Sequence, residues 1–94
     1  MKLKIIIQKK YYKEFDKFPI SLGRRDDNDL IINDPLISRI HCTIFNDSGE
    51  FYIADLKSTN GTKVNGKEIS EAVLLADRDE ILLGSTPLML NIYG

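Results

Sequence analysis

Three polar loops carry the side chains with chemistry to offer. Gly23-Arg24 follows a strand end, Ser38-Arg39-Ile40-His41 leads into another strand, and Ser58-Thr59-Asn60-Gly61-Thr62 forms a tight loop further on. An arginine fork can hold a phosphate through two parallel charge-assisted hydrogen bonds, and a hydroxyl beside adjacent backbone N–H groups can complete the cage. An asparagine amide has both a donor and an acceptor, so it can pair with the main chain of a bound peptide. These residue types suit capture of an anion rather than making or breaking of bonds.

Catalytic and metal chemistry find little support. The chain has one His, one Cys and no Trp, too few for a His/Cys metal cluster. Asp26-Asp27-Asn28-Asp29 lacks the ligand spacing and distal Glu of a calcium loop, so it reads as a solvated loop. A hydrolase built on Ser38 and His41 would need a nucleophile elbow such as G-x-S-x-G and a third group orienting the imidazole; the string is absent and nothing marks the third group. No Gly-rich loop has the Walker spacing.

Charge and length narrow the partners. Ninety-four residues make one domain, 1–94, with no room for a separate cofactor unit. Thirteen basic and fourteen acidic residues give a net charge of −1, which argues against nucleic acid or an anionic membrane as the partner. No apolar run reaches the roughly 18 residues that cross a bilayer, and Met1–Ile7 is too short for a signal-peptide core. Cys42 has no internal partner and is expected in the core as a small hydrophobe, consistent with a reducing, cytoplasmic setting. Six Lys lie in the first seventeen residues and five acids between Glu68 and Glu80. Both read as solvated edge strands, where charge discourages sheet-to-sheet pairing.

The loops need a rigid frame, and the composition supplies strands. Thirteen Ile and four Thr against three Ala favour an all-β chain. Strands are expected at Leu3–Gln8, Lys17–Leu22, Leu30–Ile32, His41–Phe45, Glu50–Asp55, Glu80–Leu83 and Leu88–Tyr93. Pro19 suggests that the second of these lies at an edge. Lys9–Lys13 reads as a hairpin or loop, and Ser70–Ala76 could make one helical turn. Asn46–Gly49 and Asn65-Gly66 are hairpin turns, the second by turn chemistry alone. About nine short strands at this spacing predict a two-sheet β-sandwich with its recognition loops at one end.

In this order the residues form a signature. Leu22-Gly23-Arg24 comes first, followed by Ile31-Ile32, Asp34-Pro35 and Ile37-Ser38-Arg39-Ile40-His41. Asp55-Leu56, Ser58-Thr59-Asn60-Gly61-Thr62, Val64-Asn65-Gly66 and Leu82-Leu83-Gly84 complete it. The chain resembles the forkhead-associated (FHA) domain, a β-sandwich of the FHA/SMAD-like type that recognises phosphothreonine in peptides, and the resemblance spans nearly the whole chain. It implies that Arg24 binds the phosphate and that Gly23 lets the backbone turn there. Ser38 would donate its hydroxyl to a phosphate oxygen, with the backbone N–H of Arg39 in reach. Thr59 would sit beside the phosphate, and Asn60 would pair with the peptide backbone while serving as the left-handed residue of its turn. His41 would be a structural histidine tying the loops together, and Gly61, Asn65 and Gly66 would hold loop and hairpin geometry. Arg25 has no counterpart role and reads as a solvated charge.

The resemblance further implies no cofactor, no catalysis, a phosphothreonine-containing protein as partner, and a monomer as the isolated domain. Its alternative is a phosphate-independent scaffold in a protein assembly such as a secretion machine. Selectivity around the phosphothreonine is expected from Leu36, Ile37, the loop 26–29 and Gly84-Ser85-Thr86. One departure stands out: Arg78-Asp79 occupies the place where the family often has Gly-Asp, which puts that turn's geometry in question.

Overall fold

The computed structural model describes residues 1–94. Eleven strands follow one another: β1 (Lys2–Ile7), β2 (Tyr11–Phe15), β3 (Ile20–Gly23), β4 (Leu30–Ile31), β5 (Cys42–Asp47), β6 (Glu50–Asp55), β7 (Thr62–Val64), β8 (Lys67–Glu68), β9 (Val73–Leu74), β10 (Glu80–Leu83) and β11 (Thr86–Tyr93). A six-stranded sheet runs β2-β1-β11-β10-β7-β8, and a five-stranded sheet runs β4-β3-β5-β6-β9. Pairing is antiparallel except between β3 and β4, which run parallel. There is no helix, so none is long and apolar enough to cross a membrane.

The alternation that marks the strands also builds the core. Leu3, Ile5, Leu88, Leu90, Ile81 and Leu83 come from the larger sheet, and Ile20, Leu22, Cys42, Ile44, Phe51 and Ile53 from the smaller one; all are buried. Each large aliphatic side chain removed from water contributes about 1.5–3 kcal/mol before entropy is counted. Burial also pushes the Cys42 thiol well above its ordinary range, which makes it an inert core group.

The tight turns follow their residue chemistry. Asn65 and Gly66 have φ of 50° and 85°, the left-handed pair that a two-residue hairpin with the right-handed twist requires. Ser48 and Gly49, at 55° and 86°, do the same between β5 and β6. Both glycines sit in open space, so conformation alone selects them.

Four expectations are corrected. Pro19 does not mark an edge strand: β3 starts at Ile20, after the proline, and lies between β4 and β5. Ser70–Ala76 makes no helical turn, because Val73 and Leu74 pair with Ile53 and Tyr52 and extend the smaller sheet. The final strand begins at Thr86 rather than Leu88, whereas Lys9–Lys13 lies in a hairpin as expected, its turn leading into the edge strand β2. Asn65 is more than a turn residue: its Nδ2 donates to Asp79 Oδ1 at 2.9 Å and its Oδ1 accepts from the Glu80 N–H at 2.9 Å, fastening the hairpin to the 76–80 turn.

In that turn Arg78 takes φ of 70°, a left-handed conformation that suits glycine. The turn keeps its shape at a steric cost of roughly 1–2 kcal/mol, partly offset because glycine loses more entropy on folding. Arg78→Gly is therefore expected to raise stability by about 0.5–1 kcal/mol in urea unfolding. An unchanged or lower midpoint would show that no strain resides there.

Candidate functional site

The site gathers where β3 ends and the segments 32–41 and 56–61 meet. β3 delivers Gly23 against Arg39: a Cβ at Gly23 would lie 2.2 Å from the Arg39 carbonyl oxygen and 2.8 Å from Asn28 Nδ2. The glycine is thus required by close approach, and its φ is not left-handed, which corrects the expected turning role. The next residue, Arg24, donates its backbone N–H to the Ser38 carbonyl at 3.0 Å and its Nε–H to the Ile37 carbonyl at 3.0 Å. One edge of the guanidinium is thereby anchored, while its two terminal nitrogens carry no intramolecular bond.

Ser38 is held on two sides. Its Oγ accepts from the Thr59 N–H at 2.9 Å, which leaves its own hydroxyl proton free for an outside acceptor. Its backbone N–H donates to His41 Nδ1 at 3.0 Å, so that nitrogen must be unprotonated. His41 Nε2–H then donates to the Gly61 carbonyl at 2.8 Å. The imidazole is completely buried and ties the two loops together, as expected of a structural histidine. The same geometry removes the hydrolase reading. His41 bonds the Ser38 main chain and not its hydroxyl, and neither ring nitrogen has a free lone pair to act as base.

The 56–61 loop is shaped from within. Asp55 accepts from the Ser58 N–H and hydroxyl and from the buried Thr62 hydroxyl, at 3.0, 2.5 and 2.6 Å. Burial pushes the Asp55 carboxyl up, but the hydrogen bonds from Ser58 and Thr62 outweigh it and hold the group below its usual range. The Ser58 hydroxyl accepts from the Gly61 N–H at 2.9 Å. Gly61, not Asn60, is the left-handed residue, with φ of 83°. Asn60 keeps an ordinary backbone and uses Nδ2 to hold the Leu36 carbonyl at 2.8 Å, which leaves its Oδ1 unengaged. The Thr59 side chain is exposed and its hydroxyl has no partner within the chain.

Two positioning residues went unrecognised as such in the sequence. Asn28, assigned above to a solvated loop, is buried and donates Nδ2 to the carbonyls of Arg25 and Arg39, both at 2.8 Å. Asp34 is also buried: Oδ1 accepts from the Leu36 N–H at 2.9 Å, and Oδ2 accepts from the Ser85 N–H, the Ser85 hydroxyl and the Thr86 hydroxyl at 2.8, 2.7 and 2.8 Å. The 84–86 turn is thereby tied to the segment before Ser38. Polar side chains beside a proline or within an acidic run look solvated in sequence; their partners lie up to 52 positions away. The Arg25 side chain is exposed and pairs with Asp27 at 2.6 Å, as a surface charge would.

The Asp34 bonds have a consequence for pH. The Leu36 N–H foremost, then the Ser85 and Thr86 hydroxyls, hold its carboxyl well below the usual carboxylate range. A lowered folded-state pKa stabilises the fold above the unfolded value, near 4, and that contribution is lost as pH falls below it. Asp34→Asn is expected to lower stability at neutral pH and to flatten the decline below about pH 4. Parallel pH profiles for the two proteins in urea unfolding would contradict the assignment.

Arg24 and Thr59 thus bond Ser38 directly, Arg39 follows it in the chain and Asn60 bonds Leu36 two residues before it, with Gly23 packed against Arg39 and His41 tying Ser38 to Gly61. Asn65 and Gly66 stand apart, in the β7–β8 turn. The unengaged groups are the terminal guanidinium nitrogens of Arg24, the Ser38 hydroxyl proton, the Arg39 N–H, the Thr59 hydroxyl and Asn60 Oδ1. The two larger concavities of the surface are lined by other residues.

Comparison with known proteins agrees. The FHA domain family model matches residues 20–84. Glycogen accumulation regulator GarA of Mycolicibacterium smegmatis is 38% identical over 74 residues, covering 79% of this chain and 46% of the relative, so the match spans less than half of that relative's length. An FHA domain solved in a study of phosphothreonine-dependent interactions superimposes with a TM-score of 0.92 at 27% identity, over 100% of this chain and 99% of the other. Mycobacterium tuberculosis EmbR, solved with a low-affinity phosphopeptide, gives a TM-score of 0.92 at 26% identity, over 97% of this chain and 24% of its own. The chain belongs to the FHA domain family.

Proposed function

We propose that this domain is a phosphothreonine-dependent recognition module that docks a phosphorylated protein segment and carries out no chemistry on it. The observation that carries the reading is the state of Arg24: anchored through Nε on the Ile37 carbonyl, with both terminal nitrogens free, and joined by its backbone to Ser38. A guanidinium held this way has lost part of its rotamer entropy before the ligand arrives, so more of each hydrogen bond is kept as affinity. The Ser38 hydroxyl, fixed by the Thr59 N–H, and the unengaged Arg39 N–H add donors for the remaining phosphate oxygens. The free Asn60 Oδ1 suits a backbone N–H of the peptide.

Phosphorylation then works as a docking switch in kinase-linked signalling. The modification adds a charge of about −1.5 to −2 and three acceptor oxygens, whereas unmodified threonine offers these donors almost nothing. The family resemblance supports a preference for threonine over serine, through a small space for the γ-methyl group. The single thiol, free and buried, suits a reducing, cytoplasmic setting. A phosphate-independent scaffold would leave the anchored Arg24 and its neighbouring donors without an occupant.

Titration with degenerate peptide pools built on phosphothreonine, phosphoserine and unmodified threonine tests the reading. Binding is expected for the first pool, weaker binding for the second and none for the third. Equal binding to all three by the folded domain would overturn it.

A further inference from the structure

The candidate site is basic around Ser38 and acidic beyond Asn60. Arg24 and Arg39 adjoin Ser38, and Lys57 precedes Ser58 in the next loop; all three are exposed and none has an ion-pair partner. At Gly61 the sign changes. A Cβ there would lie 3.2 Å from both Cδ and Oε1 of Glu68, so that carboxylate rests against the loop one residue past Asn60. Gly61 is itself fixed, its N–H on the Ser58 hydroxyl and its carbonyl on His41.

The hairpin explains how Glu68 comes to stand there. The register of β7 with β8 sets Glu68 opposite Lys63, and Lys67 opposite Val64. Opposite charges that face each other across two strands ordinarily attract and pair. No ion pair joins Lys63 to Glu68, whose exposed carboxylate lies at Gly61 without a cation to neutralise it. The recess that Glu68 shares with Ile69, Val73 and Leu74 also holds Glu71 and Asp79, against Lys67 as its one cation. A free carboxylate touching the recognition loop, with surroundings of the same sign, favours a cation on the incoming chain.

We propose that Glu68 is a specificity-determining residue of the phosphothreonine site and selects a lysine or arginine in the bound segment. The proposal rests on Arg24 and Ser38 holding the phosphothreonine. On that reading Thr59 sits beside the phosphate, and Gly61 follows two residues later, at most about 7 Å of chain. The Glu68 carboxyl lies a few ångström beyond, and an extended peptide advances about 3.3 Å per residue. The selected cation therefore falls within about four positions of the phosphothreonine. The segment presents opposite charges at its two contacts, the phosphate at Arg24 and the cation at Glu68, which fixes the direction in which it lies.

A phosphothreonine pool randomised over about four residues on each side tests it. Lys or Arg is expected to be enriched at one of these positions, and replacing that residue by Ala should weaken binding about fivefold in isothermal titration. In Glu68→Gln the two peptides are expected to bind equally, and with Glu68→Lys the pool should enrich Asp or Glu at the same position. Both substitutions fall on an exposed side chain of the edge strand β8, away from the core. No enrichment of a basic residue, or an enrichment that survives in either variant, would overturn the role of Glu68 while leaving the phosphothreonine reading intact. Absence of phosphothreonine-dependent binding to the pool would overturn both.

Discussion

Alanine at Gly23 is expected to destabilise the domain by about 3 kcal/mol and to impair ligand binding in whatever fraction still folds. The added Cβ would sit 2.2 Å from the Arg39 carbonyl oxygen, which is backbone and cannot swing away as a side chain end would. Moving Arg39 breaks the bonds its carbonyl accepts from the Arg25 N–H at 3.1 Å and from Asn28 Nδ2 at 2.8 Å. Each such bond contributes roughly 1 kcal/mol, and overpacking of this kind costs about 1–3 kcal/mol by itself. The Arg39 N–H is one of the donors offered to the ligand, so the same shift disturbs recognition. Gly66→Ala is the control: its Cβ meets nothing within 4 Å, so only the left-handed φ of 85° is penalised, at about 1 kcal/mol. Urea unfolding of the two variants should separate them clearly. A similar small loss for both would mean that the contact between β3 and the 39–41 segment relaxes freely.

Arg24→Ala is expected to leave the fold intact and weaken phosphothreonine-peptide binding by about 1.5–3 kcal/mol, roughly ten- to hundredfold in Kd. The side chain is exposed and its one internal bond, Nε to the Ile37 carbonyl, is dispensable for packing. Arg24→Lys should not rescue binding. An ammonium has no second, planar pair of donors left over once it bonds the Ile37 carbonyl, so either the anchor or the bidentate grip is lost. Isothermal titration with a selected phosphopeptide measures both variants. Full affinity in Arg24→Lys would show that charge alone is recognised.

Much of this arrangement was legible before any coordinates. Alternation placed β1, β3, β5, β6 and β10 because one face of each is buried. Asn65-Gly66 announced its hairpin because few residue pairs tolerate two left-handed positions in a row. Arg24, Ser38, Thr59 and Asn60 stood out because their residue types recur at a known spacing. Elements lacking a local signal stayed hidden. β9 is two residues long and exists through its pairing with β6, a contact that no local propensity encodes. Asn28 and Asp34 are buried by partners distant in sequence, so their neighbours make them look solvated. Gly23 is needed for close approach rather than for its φ, a distinction that the sequence does not carry.

The central claim is that one face, made by Arg24, Ser38, Arg39, Thr59 and Asn60, receives the phosphothreonine. Amide chemical-shift mapping of the folded domain during titration with the phosphothreonine peptide pool tests it most directly. Phosphate-dependent shifts are expected to concentrate at residues 24, 38–39 and 59–60 and to be lost with the unphosphorylated pool. Shifts confined to another surface, or equal with both pools, would contradict it.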